Sequence, residues 1–395
     1  MTRPGVAALL TLLALAAACP APGTLATWQP VPQPPPLPAP AATRDTAEPD
    51  PASDLVPALR ARLDAEFLTQ DERRALRVRH GVWTPADLNT PAMRARAALD
   101  AGAIFDASLD DPAADPVDRA EAALGRGQPE QAVAILDESA SSSLRALRIR
   151  AQAGLDVGDR AVAEAALAGV VERLSAEQIP DADELAEGVR ALTARARLVG
   201  SGQQNAGDYR TLASLLARAR DELDPFSWRV RLAEAELLYE KHNLSEARAA
   251  ALEALARHPR CAGAVELIGR MSVDAFDLPA VESAAGELAR LASALPPSSP
   301  DAAQAARAEP GQAPTTVAGE LLLARALLRE RLASEATAAV DRALALSPTH
   351  RGALALRAAA AAARYDQAGV AAALAAFDAA APGSALAQLE VGAVL

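Results

Sequence analysis

The sequence predicts an all-α fold, an α-solenoid of stacked helix-turn-helix pairs behind an export signal and a proline-rich tether. Three observations carry this. Apolar residues make up 51% of the chain but aromatics only 3%, so alanine and leucine supply the apolar surface, and both lose little rotamer freedom in a helix. Runs of β-branched residues with period two are nearly absent. From residue 228 onward a helix, a polar turn, a second helix and a closing proline recur every 34 residues.

The chain opens with MTRPGVAALLTLLALAAACPAPG: one early cation at Arg3, an apolar run from Val6, and small residues before Cys19. This is the pattern of a secretory signal peptide over residues 1–18, its apolar stretch too short for a membrane span. Its end resembles the lipobox of bacterial lipoproteins, in which small residues precede a cysteine that becomes acylated, so Cys19 is the expected lipidation site. Where such families usually carry leucine, three residues before the cysteine, this chain has Ala16. Ala16, Ala17 and Ala18 also fit plain signal-peptidase cleavage at the same bond, and the two alternatives stay open. Residues 19–53 are proline-rich; proline removes backbone donors and favours extended polyproline II, so a disordered tether is expected. A lipid anchor on Cys19 would hold the body to a membrane across that spacer.

The net charge of −12, with no Lys/Arg cluster interleaved with aromatics, argues against nucleic acid as a partner. Cys261 is the only other cysteine, so no structural disulfide is expected. In RHPRCAGAVEL it opens a helix and reads as a small apolar core residue.

Residues 54–110 read as a helical segment outside the repeat; TPADL and TPAMRARAALDAG each offer a threonine cap followed by a first-turn proline. Residues 111–225 read as degenerate helical pairs. The first two, RAEAALGRGQPEQAVAILDESA and LRALRIRAQAGLDVGDRAVAEAALAGVVERL, turn at GQPEQA and GDRAVA. Helices at about 183–199 and 208–223 follow, joined by GSGQQNAG.

The repeat is clearest in WRVRLAEAELLYEKHNLSEARAAALEALARHP. With Trp228 as position one, Ala235 falls at eight, Leu238 at eleven, Ala247 at twenty, Ala254 at 27 and Pro259 at 32. The small residues let two helices cross closely and the larger ones fill the seam. Positions four and seven are charged, Arg231 and Glu234. These residues resemble the tetratricopeptide repeat, a 34-residue helix-turn-helix unit. A second unit starts at Ala262, with Gly269 at eight and Leu288 at 27, so repeats cover 228–295. Residues 296–316 are rich in Pro, Ser and Ala and read as a disordered insertion. The period resumes at Val317, where Leu323, Ala324, Leu327, Ala336, Val340, Ala343 and Pro348 take the pattern positions from seven onward. It continues at Arg351 with Leu354, Ala358, Leu374 and Pro382. A further 34 residues lead to Ala385, so the final LAQLEVGAVL reads as the first helix of a repeat that lacks its second. The repeats over 317–395 thus end incomplete, with an apolar seam partly open: either the half-repeat caps the array imperfectly or, as expected here, the chain is a truncated piece of a longer protein.

Side chains that carry chemistry are sparse. His80, His242, His258 and His350 have no partner at metal-ligand spacing and no H-E-x-x-H occurs, so no metal or cofactor is expected. His258 and His350 lie near helix ends, where an imidazole suits the C-terminal dipole. GRGQPE lacks the third glycine and the lysine of a phosphate loop and reads as an interhelical turn. SLDDPAADPVD lacks the ligand alternation of an EF-hand and reads as a solvated linker with helix caps. No nucleophile elbow or Cys-His context appears, so no catalytic residue is assigned. What remains is surface. Stacked pairs form a superhelix whose concave face, lined by first helices, can bind a peptide or another domain. Arg231, Glu234, Arg325, Arg329, Arg357 and Arg364 are the first-helix candidates for such a protein-binding groove, one that would suit carboxylates or acidic segments. The same residues also fit the solvated faces of amphipathic helices.

The stretch DYRTLASLLARARDELDPFSWRVRLAEAELLYEKHNLSEARAAALEALARHPRCAGAVELIGRMSVDAFD, with ALRAAAAAARYDQAGVAAALAAFDAAAPGSALAQLEVGAVL, resembles the repeat region of bacterial lipoproteins with a peptidase-MA-like domain. The likeness covers roughly residues 115–395. In those proteins the repeats precede a zinc metallopeptidase domain carrying H-E-x-x-H; the matching positions do not exist here, so no catalytic residue carries over. The expected function is therefore that of a non-enzymatic, exported, lipid-anchored scaffold in the periplasm or at the outer membrane, binding a protein or peptide partner. The alternative is the N-terminal helical portion of a secreted peptidase-MA-like zinc metallopeptidase whose catalytic domain lies outside this chain.

Overall fold

The structure is a computed structural model, which describes residues 57–394 except 60, 64, 66, 67, 177, 178, 200–205, 297–314, 383 and 385. The expected signal peptide, the tether with Cys19, and the insertion apart from Pro296, Thr315 and Thr316 lie outside the described residues. Among the described residues every regular element is helical.

An N-terminal segment holds α1 (Gln70–Arg79), a 3-10 turn (Pro85–Asp87), α2 (Pro91–Asp100) and a second 3-10 turn (Ala107–Asp110). Helical pairs follow: α3 (Pro116–Gly125) with α4 (Pro129–Ser139), α5 (Leu144–Val157) with α6 (Arg160–Ala176), and α7 (Ala182–Val199) with α8 (Ala206–Arg218). A π turn (Ala219–Leu223) closes the third pair. Next come α9 (Trp228–Glu240) with α10 (Leu244–Arg257), and α11 (Ala262–Asp274) with α12 (Leu278–Ser293). The array ends in α13 (Val317–Arg329) with α14 (Ala333–Leu346), α15 (Arg351–Ala363) with α16 (Gln367–Ala380), and α17 (Leu386–Val394). Each helix packs on its pair partner and on neighbours in the next pair, and first helices meet successive first helices. The result is an all-α solenoid of helix pairs.

The period seen in the sequence is the period of the fold. First helices start at 228 and 262 and again at 317 and 351, second helices at 244 and 278 and again at 333 and 367. Between 262 and 317 the spacing is one period plus the 21-residue insertion. Ala235, Ala247, Ala254, Ala324, Ala336, Ala343 and Ala358 are fully buried where the two helices of a pair cross. At Gly269 the approach is closer still: a Cβ there would lie 2.6 Å from a Leu322 methyl and 3.1 Å from Ala284 Cβ. Four of the first helices are capped in the same way. Ser143, Ser227, Thr316 and His350 accept from the backbone N–H three residues on, at 3.1, 3.2, 3.1 and 3.3 Å. Cys261 occupies the equivalent place and is buried, as its apolar reading requires.

His350 corrects one expectation. It sits at the N-terminus of α15, not at a C-terminus, and its Nδ1 must be unprotonated to accept the Ala353 N–H. Burial, then the positive charge of Arg325 and Arg351, pushes its pKa down to about 4. The final helix α17 packs on α15 through buried Ala387, while Leu389 stays 69% exposed.

The N-terminal segment does not extend the array. It lies against the points where a second helix hands over to the next first helix. Trp228 Nε1 donates to the Arg79 carbonyl at 2.7 Å. Arg260 donates to the carbonyls of Gly81 and Trp83 at 2.9 and 3.0 Å, its guanidinium 3.8 Å from the Trp83 ring centroid. Arg94 donates to the Pro296 carbonyl at 2.6 Å, and Leu295 packs beneath α2. Gly81 has φ +64°, and its missing side chain makes room for the buried His258 ring, which a Cβ would meet at 2.5 Å. The superhelix also curls back on itself: Ser347 Oγ donates to the Arg126 carbonyl at 2.5 Å, and Arg351 bonds Gly127 O and Glu130.

Four successive first-to-second turns place His242, Phe276, Arg331 and Tyr365 at φ of 56–63°, a left-handed conformation that costs an L-residue about 1–2 kcal/mol. Tyr365 is 85% exposed, so its side chain recovers little of that cost. Tyr365→Gly is expected to raise unfolding stability by about 1 kcal/mol, read from a denaturant midpoint; an unchanged or lower midpoint would contradict the strain argument. His350 supplies a pH test. A pKa near 4 in the folded chain against an ordinary 6.5 means its contribution is fully present above pH 6.5 and is lost as pH falls toward 4. His350→Asn keeps a side-chain cap without the titration. Its stability relative to wild type should improve by up to about 3 kcal/mol between pH 7 and pH 4, and a pH-independent difference would refute this. The comparison cancels Asp156, whose carboxyl, raised to about 6 by burial, drives wild type and variant alike in the opposite direction.

Candidate functional site

The first-helix face of the array divides into a closed half and an open half, and the same side-chain chemistry runs through both. The closed half begins with arginines and carboxylates spaced three or four residues apart on α2, α3, α5 and α7 and seven apart on α9, which puts them on one face of each helix. Arg96 on α2 pairs with Asp118 on α3 at 2.6 Å. Arg145 on α5 bonds Asp118 and Glu121, each at 2.5 Å. Arg148 bridges Glu121 to Glu187 on α7. Arg229 on α9 joins Glu187 at 3.3 Å to Asp100 on α2 at 3.0 Å, closing the circuit. Arg190 carries the ladder outward, binding Glu236 on α9 through two hydrogen bonds of 2.8 and 2.9 Å.

Burial alone would raise the pKa values of these acids, but the guanidinium charges win. Asp100 is held well below the ordinary carboxylate range by Arg96 and Arg229, and Glu187 is lowered by Arg148 and Arg190. Arg145 is pushed in the opposite sense by Glu121 and Asp118 and stays charged. SLDDPAADPVD, read from the sequence as a solvated linker, therefore ends on a buried ladder residue, Asp118.

Beyond Glu236 the ladder opens into a cavity of about 690 Å³ walled by α9, α11, α13, α15 and α17. Its charged lining comprises Glu266, Arg270 and Asp274 from α11, Arg325 and Arg329 from α13, Arg331 from the following turn, and Glu390 from α17. Val273, Leu328 and Leu356 give apolar floor, and Tyr239 and Phe276 are the aromatics. Arg325 pairs with Glu390 at 3.0 Å and Arg329 with Asp274 at 2.8 Å. Tyr239 Oη donates to Asp274 at 2.5 Å, and its ring carries the Arg270 guanidinium 4.8 Å from the centroid. Burial would lower the Arg270 pKa, but Glu266, Tyr239, Glu236 and Glu240 raise it. A smaller cavity of about 140 Å³ continues past Tyr239 and Arg270 toward Arg148 and Arg190. A third, about 350 Å³ and largely apolar, lies between Leu99 and Ile104 of the N-terminal segment and Val317 and Leu321 of α13. It exists because Gly263 and Ala318 stand at the unit position that Arg229 fills in α9.

Of the six residues expected to form a groove, the structure brings Arg325 and Arg329 into this cavity. The other four point elsewhere. Arg231 pairs with Glu234 at 2.7 Å and with Glu253 of α10 at 2.8 Å, so both sit on the flank that faces the second helix. Arg357, at position seven of its unit, pairs with Asp341 of α14 at 2.8 Å. Arg364 lies in a turn, 3.8 Å from Asp366. The reason is helical phase: positions four and seven lie on a side different from positions nine and thirteen. Arg270 is the residue that sequence reasoning missed. It occupies position nine of its unit, as Arg325 does of the next, and counting across the insertion would have found it. Among the described residues no group of three or more His, Cys, Asp or Glu side chains could hold a metal ion.

Arg145→Met would strand Asp118 and Glu121 without their principal cation, and we expect a loss of about 3–5 kcal/mol in urea unfolding. The exposed Arg160–Glu164 pair is the control, because Arg160→Met should change stability by no more than about 0.5 kcal/mol. Similar losses from both variants would mean that the ladder is not energetically special.

No protein-family profile matches the chain, and no curated protein matches it in sequence.

Proposed function

We propose that the protein is an exported, lipid-anchored scaffold of the bacterial cell envelope, built on tetratricopeptide-like repeats, that holds a segment of a protein partner in the 690 Å³ cavity. The cavity is the observation that carries this reading. It spans five consecutive first or terminal helices, it mixes donors, acceptors and apolar floor, and it lies in the size range of small-ligand and peptide sites. Its mouth is flanked by Phe276, 61% exposed, with Arg329 stacked 5.3 Å from the ring centroid. Aromatic and arginine side chains in such settings anchor protein interfaces. The 34-residue period supports the repeat relationship, and the small residues before Cys19 support the anchor.

Photo-crosslinking in cells tests the docking site. Benzoylphenylalanine at position 276 should trap a discrete protein adduct, whereas the same residue at Leu252, 50% exposed on second helix α10, should not. Equal adducts from both sites, or none from 276, would overturn the reading. Cys19→Ser should release the protein from the membrane fraction, and continued retention would refute the anchor.

A further inference from the structure

We infer that the element docked in the cavity is an α-helix of the partner protein carrying a basic and an acidic residue one turn apart, which pair with Glu266 and Arg270. The inference rests on the docking reading above and names the chemistry of the occupant.

The chain holds its own template. In the closed half the first-helix face is already covered by a helix, α2, whose Arg96 and Asp100 stand four residues apart. Arg96 reaches Asp118 of α3 at 2.6 Å and Asp100 reaches Arg229 of α9 at 3.0 Å. Beside them Ala95, Ala97 and Ala98 are buried, which lets the backbone come close. This face therefore accepts a small-residue helix that brings one charge of each sign.

In the open half the matching charges line the cavity, and two of them close no salt bridge. Arg325 is paired to Glu390, and Arg329 to Asp274. Glu266 and Arg270, four residues apart on α11, close no salt bridge among the described residues, although the charge of Glu266 raises the Arg270 pKa. Glutamate four residues before a basic residue normally does pair on a helix. Here the Tyr239 ring, fixed by its hydrogen bond to Asp274, draws the Arg270 guanidinium toward α9. The guanidinium donors that Tyr239 does not use suit a carboxylate from outside. A purely acidic segment would meet Glu266 and Glu390, and a purely basic one would meet Arg270, Arg325 and Arg329, so a mixed pair is what the lining complements. Size agrees: one helical turn occupies roughly 400–500 Å³, and the cavity of about 690 Å³ seats a turn and a half.

The test uses the full-length protein and three hydrocarbon-stapled, alanine-rich 13-residue helices read by fluorescence anisotropy. One carries Arg and Asp at i and i+4, one carries them in reverse order, and one carries alanine at both. One charged order should bind at least about tenfold more tightly than the alanine control. Arg270→Gln should abolish that preference, and the swap Glu266→Arg with Arg270→Glu should transfer it to the other order. Circular dichroism melts verify that the variants keep their fold. Charged helices that bind no better than the control, or a preference that survives Arg270→Gln, would overturn the inference. If position 276 still crosslinks a partner in cells in that case, the docking reading stands and only the mixed-charge helix falls.

Discussion

A guanidinium taken out of water must find carboxylates, and that requirement organises this molecule. Arg96, Arg145, Arg148, Arg190 and Arg229 share Asp100, Asp118, Glu121, Glu187 and Glu236 across five helices. Alanine-rich helices pack closely but offer little shape to tell one register from another. A ladder in which each arginine needs an acid on another helix, and most need acids on two helices, leaves few registers that satisfy all of them. Such networks can add little net stability yet penalise wrong arrangements heavily. Here the ladder does a second thing: through Asp100 and Arg96 it ties α2 to the array, so the N-terminal segment becomes a brace along the helix handovers.

The same alternation of charge continues past Glu236, but no helix of the described chain covers it. There the carboxylates and guanidiniums face a cavity, with Glu266 and Arg270 left for an outside group. The transition from covered to uncovered is marked locally. Unit position two is Arg229 in α9 but Gly263 and Ala318 in the next two first helices, and these small residues leave the 350 Å³ apolar cavity beside the N-terminal segment.

Much of the architecture was legible in the sequence because its signals are local. Thr84 and Thr90 before proline, the small residues at positions eight, twenty and 27, and the closing prolines each act within one or two helices. The site was less legible. Arg325 and Arg329 could be named, but so were Arg231, Glu234, Arg357 and Arg364, which face other flanks. The error was one of phase, since all six lie in first helices or their turns but, of the six, only the two at positions nine and thirteen meet the cavity. Arg270 was hidden by the insertion, which displaces it from Arg325 by more than one period. His350 looked like a residue at a helix end, and only its bond to Ala353 shows which end.

By itself, then, the sequence determined the helical class, the 34-residue unit and where its helices begin, because propensity, capping and small-residue spacing act over a few turns of chain. The docking of the N-terminal segment, the closure of the ionic ladder and the identity of the cavity residues were decided by the tertiary structure alone. Those features join distant residues, in places more than one hundred positions apart, such as Arg229 with Asp100 and Arg351 with Gly127. No local pattern encodes such pairings, because a buried charge finds its partner only when the curvature of the whole superhelix brings the two together.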